Sequence, residues 1–178
     1  SDFRSTILDR NNVIIAKSVI TKNIGINPKQ VIDKQKLLLN LKLIFPDKDY
    51  NLISSKLDKG KFFYLEKKIS QKKYKQLFLL GDKSIIEERK ITRIYPQKNL
   101  FSHIIGQIDD DNLGISGIEK YYDYELKTSK QPLKLSLDTS IQYLIREELI
   151  SFKEIFKFTG GSPILMNIDN GEIISMVS

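Results

Sequence analysis

Residues 113–126, "LGISGIEKYYDYEL", decide how the rest of the chain is read. Gly114 and Gly117 stand three apart and run directly into an acid and an aromatic, charged segment of helical character. A phosphate-binding loop needs a lysine and a Ser/Thr straight after its last glycine, so that a cation and a hydroxyl meet the phosphates. Here Ile118 and Glu119 follow Gly117, and a carboxylate there would repel the ligand. Ser116 and Glu119 have capping-box spacing instead. The Ser hydroxyl is expected to accept the amide three residues on, with the Glu reaching back to the amide of Ser116. The glycines are expected to let the backbone turn sharply into the helix. Strand-borne arginines beside a helix start need a counter-charge, so Glu119 is also expected to pair with Arg4 or Arg93 in a half-exposed ion pair.

Upstream, the pattern is of short alternating elements. Residues 4–26 read as β-structure, with Asn11-Asn12 as a tight turn between Ile7-Leu8 and residues 13–15. Asn27 and Pro28 read as N-cap and first residue of a helix, with Gln30 at its third position; the helix runs to about Leu43 and stops before Pro46. A second short helix is expected over 48–58, a strand over 61–69, a helix over 70–80 ending at Gly81, and a strand over 84–96. Downstream, "DTSIQ" (138–142) starts a long helix, with Thr139 and Gln142 as a capping box and Asp138 also able to cap. Ile141, Leu144, Ile145, Leu149, Phe152 and Phe156 share one face of it. Asn170-Gly171 is a tight-turn signal between two strands, with Ile164, Met166 and Ile168 alternating in the first and Ile173, Ser175 and Val177 in the second. No repeat or low-complexity linker interrupts the series, and the expected fold class is α+β.

Several residues invite a chemical reading. Ser70 and Lys73 match S-x-x-K, the acylating motif of penicillin-interacting enzymes. They sit among lysines in an expected surface helix, with no S-x-N or K-[TS]-G after them; Lys127-Thr128-Ser129 has Ser where Gly is required. Asp109-Asp110-Asp111 lacks the ligand spacing of a calcium loop, since Leu113 occupies the fifth position, and reads as a solvated acidic turn. His103 is the single histidine, which leaves little for a metal site or a Ser-His-Asp triad, and it reads as a packed or capping residue. The chain has no cysteine. No catalytic, metal-binding or cofactor-binding residue is therefore assigned.

Composition narrows the classes. A chain of 178 residues with 40% hydrophobic residues can bury a real core. Its net charge of +7 comes mostly from 24 Lys against 5 Arg. Residues 1–133 carry +9 and residues 134–178 carry −2, which suits an N-terminal part near an anionic surface such as a membrane and suits compositional drift equally well. No apolar run reaches the ~18 residues that span a bilayer. The sequence opens abruptly at Ser1-Asp2 and stops inside a strand-like run, as a piece of a longer protein would.

Together these stretches resemble class B penicillin-binding proteins. "RSTILDRNN" (4–12), with Arg4, Asp9 and Arg10, is similar to their R-G-x-I-x-D-R-N-G opening, with Ser5 and Asn12 in place of glycines. "RIYP" (93–96), with Arg93, Tyr95 and Pro96, and "HIIG" (103–106), with Gly106, are similar to R-x-Y-P and H-x-x-G. "GISGIE" (114–119) is similar to G-x-x-G-x-E, bringing in Gly114, Gly117 and Glu119. "LKLSLDTSIQ" (133–142), with Asp138, resembles L-T-I-D-x-x-I-Q at the start of the transpeptidase domain. "ILMNIDNGEIISMVS" (164–178) resembles that domain's first hairpin, with Asn170 where Thr is usual.

The resemblance implies an elongated, non-catalytic pedestal, the "dimerisation" module, over 1–133. It implies the first helix and hairpin of a serine D,D-transpeptidase domain over 134–178. The membrane helix would precede Ser1, on a protein anchored at the periplasmic face of the bacterial inner membrane, and the nucleophile would follow Ser178. Expected partners are a SEDS-family glycosyltransferase and other division or elongation proteins, with the septal type preferred. No nucleic acid and no cofactor is implied. Two rivals stay open: a stand-alone basic module binding anionic polymer or nucleic acid, which predicts salt-sensitive binding, and a complete hydrolase, which predicts turnover.

The 162–178 hairpin would lack the rest of its sheet. A two-stranded hairpin is marginal alone, and its open edge is a template for another strand. Self-association through it, or poor order, is expected as a consequence of truncation. Light scattering on this chain and on one ending near Phe158 distinguishes the cases: equal masses, with an ordered and unpaired hairpin, would contradict the expectation.

Overall fold

In the computed structural model, which describes residues 3–178, Asp9 folds the chain back on itself. Its Oδ1 accepts the amides of Asn11 and Val13 at 2.7 and 2.8 Å, while Asn12 takes φ 65°. Asparagine visits that left-handed backbone more readily than most residues because its short polar side chain bonds locally, so the glycine of the motif is not required. The turn joins β1 (Ile7–Leu8) to β2 (Ile14–Ile26) as antiparallel neighbours, with Ile7 opposite Ala16. Ser1 and Asp2, the abrupt opening noted above, lie outside the described residues. Contacts divide the chain into two units, Ser1–Val19 with Ile91–Ser178, and Ile20–Lys90. β2 leads from the first into the second, and β4 (Ile85–Ile94), which pairs with β2, leads back.

In the unit Ile20–Lys90, Asn27 and Pro28 start only a single 3-10 turn, Pro28–Gln30. The helix expected from Pro28 is broken in two: α1 (Lys34–Ile44) begins afresh at Asp33, whose carboxylate accepts the Lys36 amide at 2.9 Å. An Asp at that place competes for the backbone amides and sets its own N-cap. α2 (Tyr50–Asp58) is capped by Asp49. β3 (Phe63–Glu66) pairs antiparallel with the end of β2, Ile24 opposite Glu66. α3 (Gln71–Phe78) follows. Leu37, Leu41 and Ile44 recur at helical spacing on α1 and meet Ile53 and Leu57 of α2, Leu77 of α3, and Ile24, Ile26 and Leu65 of the strands. Each such side chain contributes about 1.5–3 kcal/mol when fully buried.

The other unit has its own core of Ile7, Ile15, Ala16, Phe101, Ile105, Leu126 and Leu137. Its helices are short: a 3-10 turn (Lys98–Phe101), α4 (Ser102–Ile105), α5 (Gly117–Tyr121) and α6 (Asp123–Thr128). β5 (Leu133–Lys134) pairs parallel with β1. α7 (Thr139–Phe156) is capped by Asp138, whose Oδ1 accepts the amides of Ser140 and Ile141. The Thr139–Gln142 capping box does not form. Thr139 is already helical and donates its hydroxyl to Asp9, and Gln142 is buried. Its amide donates to the carbonyls of Leu100 and Met176 and accepts from Ser175 Oγ and the Met176 amide.

The expected apolar face of α7 is only partly covered: Ile141, Ile145 and Leu149 are half-buried, whereas Leu144, Phe152 and Phe156 are exposed. β6 (Ile164–Met166) and β7 (Ile173–Met176) form the expected antiparallel hairpin. Its turn is longer than a two-residue one. Asn167 donates to Glu172 O across a four-residue loop, with Gly171 at φ 75°. The Asn167 carboxamide takes the Asp169 amide, an Asx turn that draws Asn167 into the loop.

Candidate functional site

Three distant segments meet at one carboxylate. Glu119, fully buried at the third residue of α5, accepts Arg4 Nε on Oε2 at 2.9 Å and Arg93 Nε on Oε1 at 2.8 Å. Tyr95 adds a long hydroxyl contact of 3.3 Å to Oε1. Arg4 uses its whole fork: Nη1 donates to Asp123 Oδ1 at 2.6 Å and to Asn112 O, and Nη2 donates to Glu119 O. Arg93 Nη1 donates to Arg4 O and Ser18 Oγ. Two guanidinium groups thus face two carboxylates, which balances charge inside a nearly dry site. Desolvation of buried ions offsets most of their attraction, so such a cluster adds little net stability over an apolar one. What it supplies is a unique register between the first strand, the end of β4 and α5.

The half-exposed pair expected for Glu119 is therefore fully buried, and it engages both arginines. The capping box of Ser116 and Glu119 is absent because the carboxylate is committed to them. Ser116 makes no side-chain cap; its Oγ accepts the Gln107 amide at 3.1 Å.

The glycines explain how the segments come so close. A Cβ on Gly114 would lie 2.0 Å from Glu119 O, and one on Gly106 2.1 Å from Ser116 O. Gly117 sits at φ 57°, with Ile104 O 2.5 Å from where its Cβ would be. Backbone touches backbone at these points, and no side chain fits between.

A second cluster gathers Asp9, Arg10 and Asp138. Besides its own turn, Asp9 accepts the amide and the hydroxyl of Thr139 on Oδ2 at 3.0 and 2.7 Å. The Arg10 amide donates to Leu137 O, and Asn11 Nδ2 donates to Asp138 Oδ2. Arg10 Nη2 lies 3.5 Å from Glu172 at the surface. Burial pushes the Asp9 pKa up, but the bonds from Thr139, Val13 and Asn11 outweigh it and hold the carboxyl below its usual value. Asp123 is held further below the carboxylate range: burial opposes the shift, while Lys127, Arg4 and the Gly114 amide drive it down.

Groups with depressed folded pKa values stabilise above the unfolded pKa and lose that contribution as pH falls towards the folded one. Stability is therefore expected to hold at neutral pH and decline below about pH 4. Urea midpoints measured down the acid limb check this, and Asp9→Asn should show a shallower decline than the parent sequence. Burial chiefly pushes Tyr95 up to about 12, so its hydroxyl stays a donor at all ordinary pH.

Pro96 is exposed and follows Tyr95 just past the end of β4, the strand that carries Arg93. Ser70 is the N-cap of α3, its Oγ accepting the Lys73 amide at 3.4 Å; the S-x-x-K match is a capping turn. His103 is exposed rather than packed. Asp109 Oδ1 accepts the amides of Asp111 and Leu113, which makes the acidic run a turn. No group of three His, Cys, Asp or Glu suited to a metal ion occurs among the described residues, and none of their helices is long and apolar enough to cross a membrane. Sequence reading missed Asp123 and Ser18 as members of the buried network, and Gln142 as the buried link from α7 to Leu100 and β7. Asp123 stands one helical turn after Glu119, which was a usable signal; nothing marked Ser18.

The same segments that build the cluster are those a family model recognises. Residues 3–148 match the penicillin-binding protein dimerisation domain. The chain belongs to this family. Among curated relatives, stage V sporulation protein D of Bacillus subtilis is 27% identical over 98% of this chain and 32% of its own length. Peptidoglycan D,D-transpeptidase FtsI of Escherichia coli K12 is 27% identical over all of this chain and 36% of its own. The chain thus spans about a third of the length of these relatives. A peptidoglycan synthetase from Bifidobacterium adolescentis has the same fold, with TM-score 0.56 at 18% identity over 98% of this chain and 42% of that one. The α+β expectation and the family resemblance agree with these matches.

Proposed function

We propose that this dimerisation domain is the non-catalytic pedestal of a membrane-anchored, septal-type peptidoglycan D,D-transpeptidase. In this reading residues 1–133 form the pedestal and 134–178 open the transpeptidase domain. The membrane helix lies before Ser1 and the acylated serine beyond Ser178, on the periplasmic side of the inner membrane. Partners are division or elongation proteins, a SEDS-family glycosyltransferase among them. The observation that carries the reading is the Arg4–Glu119–Arg93 cluster, built from three segments within the family match. Its use is positional: it holds a rigid base, and Asp9 bonds that base to the first residue of α7.

In the parent protein, Glu119→Ala should leave acylation of the catalytic domain by penicillin largely intact while abolishing its support of growth. Full growth on a parent carrying this substitution, at normal abundance, would refute the positional role.

A further inference from the structure

Charge is not spread evenly between the two units. Residues 20–90 hold 17 basic and 8 acidic residues, a net +9, while the remainder of the chain is at −2. Sixteen of those seventeen are lysines. Asp58, Glu66 and Glu87, three of the eight acids, are already committed to ion pairs with Lys34, Lys48, Lys22 and Arg89. Lysine is a hydrated point charge that reads total potential, whereas arginine forks suit fixed bidentate partners. A lysine-dominated surface therefore fits a broad anionic plane better than a shaped acidic pocket.

The apolar residues of this unit add a second observation. α1 buries Leu37, Leu41 and Ile44 and turns Leu39 and Leu43 outward, 67% and 77% exposed. Leu39 and Leu43 stand one turn apart on the same face, flanked by exposed Lys36 and Lys42. Ile32, just before the helix, is 95% exposed. Leucines set among lysines on the solvent side of a helix match the interfacial pattern in which side chains enter the acyl boundary while ammonium groups stay at the headgroups. A soluble polyanion would satisfy the lysines and leave the leucines in water.

We propose that the outward face of α1, with Ile32, Lys36, Leu39, Lys42 and Leu43, docks this unit on an anionic phospholipid surface. The inference rests on charge and exposure alone and stands apart from the chain's place in a transpeptidase. The attraction is screened over a Debye length, so it weakens with salt.

The test is flotation of the chain with vesicles of phosphatidylcholine alone and of phosphatidylcholine with phosphatidylglycerol. Binding is expected only to the second, falling as salt rises. Lys36→Gln should lower partitioning about fivefold, as for one charge at an anionic surface. Leu39→Ser with Leu43→Ser should lower it at least as much, with unchanged circular dichroism because both side chains already face solvent. Equal partitioning to both vesicle types, or none to the anionic ones, would overturn the proposal. So would binding that ignores the leucine changes and is fully displaced by polyphosphate, which would make the face a polyanion site.

Discussion

Glu119→Ala should destabilise the chain by about 3–5 kcal/mol, the usual cost of removing one partner from a buried ion pair. Two guanidinium groups, both almost without solvent access, would lose their shared carboxylate, and among the described residues Asp123 would remain as an ion-pair partner of Arg4. One nitrogen, Arg93 Nη2, already lacks a hydrogen-bond partner among the described residues, so the site has little slack. Asp58→Ala is the contrast. It removes an ion pair of similar length to Lys34, but with side chains 37% and 65% exposed, and should cost no more than about 1 kcal/mol. Chemical denaturation of the two variants measures the difference. Comparable midpoints for both would mean that Glu119 is not the anchor its geometry indicates.

A larger effect is expected at the glycines. Gly114→Ala would set a methyl 2.0 Å from the Glu119 carbonyl oxygen, and Gly106→Ala would set one 2.1 Å from that of Ser116 while forcing φ 73° on an L-residue. The obstructing atoms are backbone, held by α5 and by the Arg4 bond to Glu119 O. Neither can swing aside as a flexible side chain would. Each variant should lose at least about 4 kcal/mol, the range reserved for strain or clash at a special backbone position, and expression without a folded product is the expected extreme. Gly60 provides the control. Its φ is +65° but nothing lies within 4 Å of a Cβ there, so Gly60→Ala should cost only the left-handed penalty of about 1–2 kcal/mol. If Gly114→Ala melts with Gly60→Ala, the close approach of the two segments is not required.

Much of this was legible in the sequence because local chemistry and tertiary role coincided. Asp138 caps α7 from the position its side chain favours, and Asn12 turns the first hairpin. Legibility failed where a polar side chain had a distant claimant stronger than its local one. Glu119 left its capping box for two arginines 115 and 26 residues away. Gln142 and Thr139 did the same for β7 and for Asp9. A capping-box bond contributes about 1 kcal/mol, and an unsatisfied buried charge costs several times that, so the distant partner prevails. One helix start also moved, where Asp33 competed with Asn27 as the N-cap. The apolar face of α7 was read correctly as a pattern, but periodicity does not say whether a partner is present to cover Leu144, Phe152 and Phe156.

Labelling with a fluorescent penicillin tests most directly whether this chain is the non-catalytic part of a penicillin-binding protein. The parent protein should form a covalent, competable adduct, and the 178-residue chain alone should form none, since Ser70 is engaged as a helix cap. Stoichiometric labelling of the isolated chain, at Ser70 or elsewhere, or a folded parent that takes no label, would contradict the pedestal reading.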